Sequence, residues 1–286
     1  MKKHLVPFAA AVILGIIIFS SPLLVLVEWS LRSELYSHVL FIPVISIYLF
    51  VAERESLFEA AEYAVMSGTA LVLLGLACYG CALFFRESLG TNDYLSVCIA
   101  GFVLWIVGAY IAWWGVGAFN KARFTLFFLA FMIPVPTFLM EGLITFLQHG
   151  SADAVQIVFD AIGFSCLRDG VTFEVPGGLA ISVANGCSGI RSSLALLITV
   201  VLAGKMFLRS GWRRLVLALC IIPITIFKNA LRITTLTLLA SKVDISWLTN
   251  SWLHKSGGIV YFAIALCILT PILWGLRKTE PASMVW

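Results

Sequence analysis

An all-α integral membrane protein with about eight transmembrane helices is the fold class that three observations predict. First, 61% of the 286 residues are apolar, only 12% are charged, and the mean hydropathy is +1.02. Soluble domains carry about 25% charged residues, and a globular chain of this length has no interior large enough to hide so much apolar surface from water. Second, the apolar residues gather into long runs. A bilayer crossing takes about 20 such residues, and backbone facing lipid must satisfy its own hydrogen bonds, which favours helix. Third, Lys and Arg are unevenly shared between alternate connecting segments.

The runs place spans at 5–27, 38–52, 64–85, 94–117, 123–140, 187–208, 214–240 and 257–276. The first follows Lys2, Lys3 and His4 and so has the look of a signal peptide, but it lacks a small-residue cleavage site and is read as the first span. The second is short, and the fifth contains Pro134 and Pro136. With the N-terminus in the cytoplasm, eleven of the 19 Lys and Arg residues fall in cytoplasmic segments and five in external ones. The cluster Lys205, Arg209, Arg213 and Arg214 is the densest. This bias puts both termini inside. The net charge of +4 is spread along the chain, with no basic stripe interleaved with aromatics, so a nucleic-acid partner is not expected.

The segment 141–186 differs from the rest. From Gly142 to Phe164, Leu143, Phe146, Leu147, Ala154, Ile157 and Val158 recur at helical spacing, which predicts an amphipathic helix near the external interface. The following VTFEVPGGLAISVAN alternates around a Pro-Gly-Gly turn and predicts a short hairpin before the sixth span. No linker, low-complexity tract or fixed-period repeat is present, so 1–286 reads as a single polytopic domain.

An ionisable side chain inside a bilayer is costly and marks a functional site by default. Such residues gather at three places that share the external side: NGCSGIRSS at 185–193, FKNALRI at 227–233 and SWLHKSGG at 251–258. Cys187 opens a helix, where the partial positive charge of the helix end favours a thiolate, and Arg191 lies four residues on. Gly186 and Gly189 would allow close backbone approach, and Ser188 adds a hydroxyl. A buried packing thiol is the competing reading. Asn229 and Arg232 share a helix face. The guanidinium there suits an oxyanion or a substrate carboxylate, or else a cation snorkelling to the interface, a reading that also fits Lys228. His254 suits proton transfer near neutral pH or an aromatic-belt position beside Trp252. His38, on the same side at the start of the second span, is a weaker candidate. The remaining cysteines, including the Cys78–Cys81 pair, sit in apolar runs and read as packing residues. No His or acidic cluster has metal-ligand spacing, so neither a metal nor a cofactor is expected.

These residues resemble the exosortase/archaeosortase family of membrane-embedded cysteine transpeptidases. The likeness runs through YSHVLFIP at 36–43, MIPVP at 132–136, LQHGSADA at 147–154, the NGCSGIRSS core, the Asn229–Arg232 pair and His254. It implies that Cys187 is the nucleophile, Arg232 its electrostatic partner and His254 the proton-transfer residue. The C-S-G-I-R form is closer to the bacterial members, which implies a Gram-negative inner membrane. Implied substrates are exported proteins with a C-terminal Pro-Glu-Pro sorting signal: a short motif, a transmembrane helix and a basic tail. Membrane lipid and an acceptor nucleophile of unknown identity are the other implied partners. Some members carry an additional C-terminal domain, which this sequence lacks, so a separate partner or none is expected. From the residues alone, a transporter for an anionic solute or a non-catalytic subunit of an export complex remains the alternative.

Overall fold

The protein was analysed as a computed structural model, which describes residues 2–33, 35–52, 63–175, 179–183, 190–244, 246–249 and 252–280. The chain divides into two compact units, Met1–Met140 and Glu141–Trp286.

The first unit holds α1 (Lys2–Ile18), α2 (Ser20–Arg32), a 3-10 turn at Ser37–Leu40 leading into α3 (Phe41–Ala52), α4 (Val65–Phe84) and α5 (Thr91–Phe128), which ends in a 3-10 turn at Leu129–Met132. The first span, expected as one helix over 5–27, is instead bent by 75° between α1 and α2. Pro22 explains the break. It has no N–H for the Ile18 carbonyl, and its ring crowds that carbonyl.

The fourth and fifth expected spans form one helical run, Thr91–Met132, of 42 residues. Straight, it would be about 63 Å long, twice the hydrocarbon thickness. It is not straight. Gly115 takes φ 82°, ψ 173°, a positive-φ conformation outside the helical region and open chiefly to glycine. The chain reverses there: Asn92 Nδ2 donates to the Val135 carbonyl at 2.9 Å, and Ser96 Oγ donates to the Pro134 carbonyl at 2.7 Å. The returning helix stops at Met132 and not at 140, because Pro134 and Pro136 cannot supply the N–H groups a continuing helix needs.

Against this pair lies α4. A Cβ on Gly75 would sit 2.5 Å from the Gly101 carbonyl oxygen, and one on Gly101 would sit 2.7 Å from the Gly75 oxygen. The two backbones touch, the usual way membrane helices gain contact where lipid removes the hydrophobic drive. Tyr110 and Trp114 of α5 meet Phe8 of α1 and Phe50 of α3 edge to face in one buried cluster.

In the second unit, α6 (Thr137–Ala161) covers most of the expected amphipathic segment and starts directly after Pro136. Three antiparallel strands follow, β1 (Leu167–Asp169), β2 (Thr172–Val175) and β3 (Leu179–Ser182), in the order β1-β2-β3. The Pro-Gly-Gly turn of the expected hairpin lies outside the described residues. Phe173 pairs with Ile181, and both are buried, while Glu174 and Ala180 face outward. Gly170, at φ 58°, makes the turn between β1 and β2.

The helices α7 (Ile190–Phe207), α8 (Gly211–Leu219), α9 (Ile221–Lys242), α10 (Ser246–Thr249) and α11 (Trp252–Lys278) complete the unit. The seventh span, expected unbroken over 214–240, is interrupted at Cys220. Pro223 withholds its N–H from Leu219, the same mechanism as at Pro22. One core joins Leu196, Leu217, Ile224, Ala265 and Leu269 from α7, α8, α9 and α11. A second joins Val155 and Phe159 of α6, Phe173 of β2 and Ala230 and Ile233 of α9.

Among the described residues, four helices are long and apolar enough to cross a membrane, and a fifth if the bent α1–α2 pair is one crossing. Ser37–Ala52 and Ser192–Phe207 are shorter apolar helices. Length and composition alone therefore return fewer crossings than the eight expected.

Candidate active site

Helix α9 carries buried polar residues in an apolar unit: Thr225, Lys228, Asn229, Thr234 and Thr237. Asn229, 1% exposed, donates from Nδ2 to Ser151 Oγ of α6 at 2.9 Å, and Ser151 is itself fully buried. Lys228, 3% exposed, donates from Nζ to Ser192 Oγ in the first turn of α7. The snorkelling position that the sequence allowed for Lys228 is therefore excluded: the side chain turns into the protein. Arg232 lies half-buried one turn further along α9.

These contacts bracket a segment of interest. Val183, at the end of the sheet, donates its N–H to the Val171 carbonyl at 3.0 Å, and its own carbonyl accepts from Gln148 Nε2 at 2.7 Å. Helix α7 begins at Ile190, and Ser192 in its first turn is held by Lys228. The stretch between these two anchors contains Cys187, Ser188 and Gly189, which lie outside the described residues. Arg191 falls in the first turn of α7 and His254 in the first turn of α11; their side chains lie outside the described residues too. The structure thus brings Asn229, Lys228, Ser151 and Ser192 together and places Arg232 beside them.

Three positioning residues escaped the sequence reading. Lys228 is an ionisable residue inside a span, where sequence alone does not separate a buried cation from a snorkelling one. Gln148 and Ser151 belong to the LQHGSADA segment, whose periodicity says only that it is an amphipathic helix. Gln148 holds the Val183 carbonyl at the end of the sheet, and Ser151 holds the Asn229 amide of α9.

His38 lies in the first unit, half-buried on the 3-10 turn before α3. Its neighbour Tyr36 donates its hydroxyl to Asn92 Oδ1 at 2.5 Å, and Asn92 Nδ2 reaches the Val135 carbonyl and, at 3.2 Å, Thr137 Oγ1. Burial, with a smaller push from the Asp93 carboxylate, raises the Tyr36 pKa above its usual value. Asp93 Oδ1 also accepts the Thr137 N–H at 2.7 Å, capping the start of α6. The YSHVLFIP and MIPVP segments, distant in sequence, therefore meet at Asn92.

The family model of the transmembrane exosortases (Exosortase_EpsH) matches residues 29–270, a range that includes every candidate site residue. No curated protein and no solved structure matches the chain. With most of its length matched, the chain belongs to the transmembrane exosortase family, membrane proteases or transpeptidases that act on protein substrates bearing sorting signals.

Proposed function

We propose that this protein cleaves the C-terminal Pro-Glu-Pro sorting signals of exported proteins with Cys187 as nucleophile. The observation that carries this reading is the bracketing of the Cys187 segment. Gln148 fixes the chain just before it through the Val183 carbonyl, and Lys228 fixes the chain just after it through Ser192. A nucleophile must be held in place relative to its partners, and an anchored residue on each side of the stretch, Val183 and Ser192, supports that reading.

In this mechanism the substrate's own transmembrane helix docks in the bilayer and presents its motif at the external face. The Cys187 thiolate, favoured by the N-terminus of α7 and by nearby cations, attacks the scissile carbonyl and forms a tetrahedral oxyanion. Arg232, with Asn229 or backbone N–H groups near Gly189, stabilises that charge. The C–N bond then breaks, His254 protonates the departing amine, and a thioester remains on Cys187. An acceptor nucleophile or water attacks the thioester, and the thiol is released. Ser188 and Arg191 support the nucleophile, and His38 serves a structural or proton-transfer role.

The same reading takes 1–286 as one polytopic domain, since the family match runs through both units. Eight crossings follow if the α1–α2 pair counts once, Thr91–Met132 counts twice because it reverses at Gly115, and the two shorter apolar helices each cross. Both termini then lie in the cytoplasm of a bacterial inner membrane, and the site faces outward.

The test is co-expression with a tagged substrate bearing a Pro-Glu-Pro signal. Processing should appear as a gel shift with the intact protein and be abolished by Cys187→Ala at equal membrane abundance. Full processing by Cys187→Ala would end the cysteine mechanism.

A further inference from the structure

Lys228 is buried beside a second cation and has no anionic partner of its own. Its Nζ donates to Ser192 Oγ, and an ammonium carries two further N–H groups. Every Asp and Glu of this unit is among the described residues, and none of them is ion-paired with Lys228. Asp153 pairs with Arg168 at 2.7 Å, Asp244 accepts the Ser246 N–H at 2.6 Å, and Glu280 accepts the Arg209 N–H at 2.7 Å. Arg232 stands one turn away on the same helix, a second positive charge beside it. A buried charge normally has an opposite charge beside it. Among the described residues none is supplied, and the N-terminal turn of α7, where Ser192 sits, adds further positive potential. The site is built for an anion that arrives with a ligand.

We infer that Lys228, oriented by Ser192, is a specificity residue that takes the carboxylate of the glutamate in the substrate's sorting motif, leaving Arg232 for the reacting carbonyl. This rests on the proposed substrate reading and adds to it the group that reads the acidic side chain. Ser192 lies five residues beyond Cys187 in sequence, a chain reach of at most about 18 Å, which a short extended motif can span. A carboxylate is preferred to a lipid phosphate because the lysine is turned inward, among α7 and α9, and away from the lipid-facing surface.

The experiment compares processing of two tagged substrates, one with Pro-Glu-Pro and one with Pro-Gln-Pro, by wild type, Lys228→Gln, Lys228→Arg and Ser192→Ala. Wild type should favour the glutamate substrate by about 10- to 100-fold, the usual value of a charge-assisted contact. Lys228→Gln, which also loosens the hold on Ser192, should slow both substrates, but the glutamate one about 10- to 100-fold more, so that the preference disappears, while Lys228→Arg keeps most of it. Should Lys228→Gln fail to reach the membrane, Ser192→Ala, which retains the lysine and removes the hydroxyl that aims it, should shrink the preference several-fold. An undiminished preference in the Gln or Ala variant, or an equal loss on both substrates, overturns the inference while leaving Cys187-dependent cleavage standing. A preference that persists while anionic lipid ceases to co-purify with Lys228→Gln assigns the subsite to a lipid phosphate and overturns it too. If wild type processes neither substrate, the substrate reading fails, and the inference falls with it.

Discussion

Asn229 of α9 and Ser151 of α6 meet in the interior of the second unit, with Nδ2 donating to Oγ over 2.9 Å and neither side chain reaching solvent. The bond ties the helix that bears Arg232 to the helix that bears Gln148. Asn229→Ala leaves a buried hydroxyl without its donor and should cost about 1–2 kcal/mol. In detergent-solubilised protein this should appear as a lowering of the thermal aggregation midpoint by a few degrees. Ser151→Ala should cost less stability and less processing; equal losses in processing would mean that the Asn229 amide does nothing beyond this bond.

Arg232 should not tolerate its conservative replacement. Lysine keeps the charge but loses the planar fork that meets an oxyanion with more than one donor. Arg232→Lys is expected to reduce processing by at least about 100-fold at unchanged membrane abundance. The rate of substrate conversion in the co-expression assay measures this, and near-normal conversion would remove Arg232 from the reaction.

The α4–α5 contact makes a prediction about assembly alone. Gly75→Ala puts a methyl group 2.5 Å from the Gly101 carbonyl and must push the two backbones apart, whereas Gly80 has nothing within 4 Å of its would-be Cβ. Gly75→Ala should lower the yield of folded protein and the aggregation midpoint, and Gly80→Ala should leave both unchanged. Matching behaviour of the two variants would argue against the close approach.

Thiol labelling should separate Cys187 from the other cysteines. Cys98 is buried, and Cys81 and Cys267 are exposed only on apolar helices. Cys166, ahead of β1, is the useful comparison. Burial, reinforced by the Asp160 carboxylate, pushes its thiol up from the ordinary value, so its labelling should be slow at neutral pH and rise as the medium becomes alkaline. A membrane-impermeant maleimide at pH 7 should modify Cys187 first, as read by mass spectrometry of peptides. Preferential labelling of Cys166 under those conditions would deny Cys187 an activated thiolate.

Glu280 should make stability depend on pH. Its carboxylate accepts the N–H groups of Arg209 and Ser210 at 2.7 and 3.2 Å, with Arg213 nearby, and the Arg209 bond is the main reason its pKa lies below the usual carboxylate range. A carboxyl group depressed in the folded state stabilises above its unfolded pKa and loses that contribution as pH falls through the folded value. Glu280→Gln should therefore be less heat-stable than wild type at pH 7, with the gap closing on acidification. A gap that stays constant down to strongly acidic pH would rule out the ionised form as the source.

Much of this protein was legible in the sequence because a membrane leaves few options. Apolar runs and Lys and Arg bias pointed to a helical membrane protein, and the polar residues stranded inside or beside spans drew attention to Asn229 and Arg232. The breaks were partly legible. Pro22 and Pro223 each act on the carbonyl four residues earlier, a local steric effect that can be read without a structure once it is looked for. The reversal at Gly115 was visible only as a short gap between two expected spans, because a glycine does not announce which of its conformations the chain will use.

What the sequence by itself determined is the solvent in which the chain folds, its helical class, and the handful of residue types able to do chemistry there. Those follow from composition and periodicity, which are sums over local preferences. What only the tertiary structure decided is which polar groups meet: Lys228 with Ser192, Asn229 with Ser151, Gln148 with the Val183 carbonyl, and Tyr36 with Asn92. Each of those pairs joins segments at least 35 residues apart, and no local pattern encodes the partner. The choice is made where buried donors and acceptors must find one another as the helices pack, because leaving any of them unmet inside an apolar interior costs more than the packing can return.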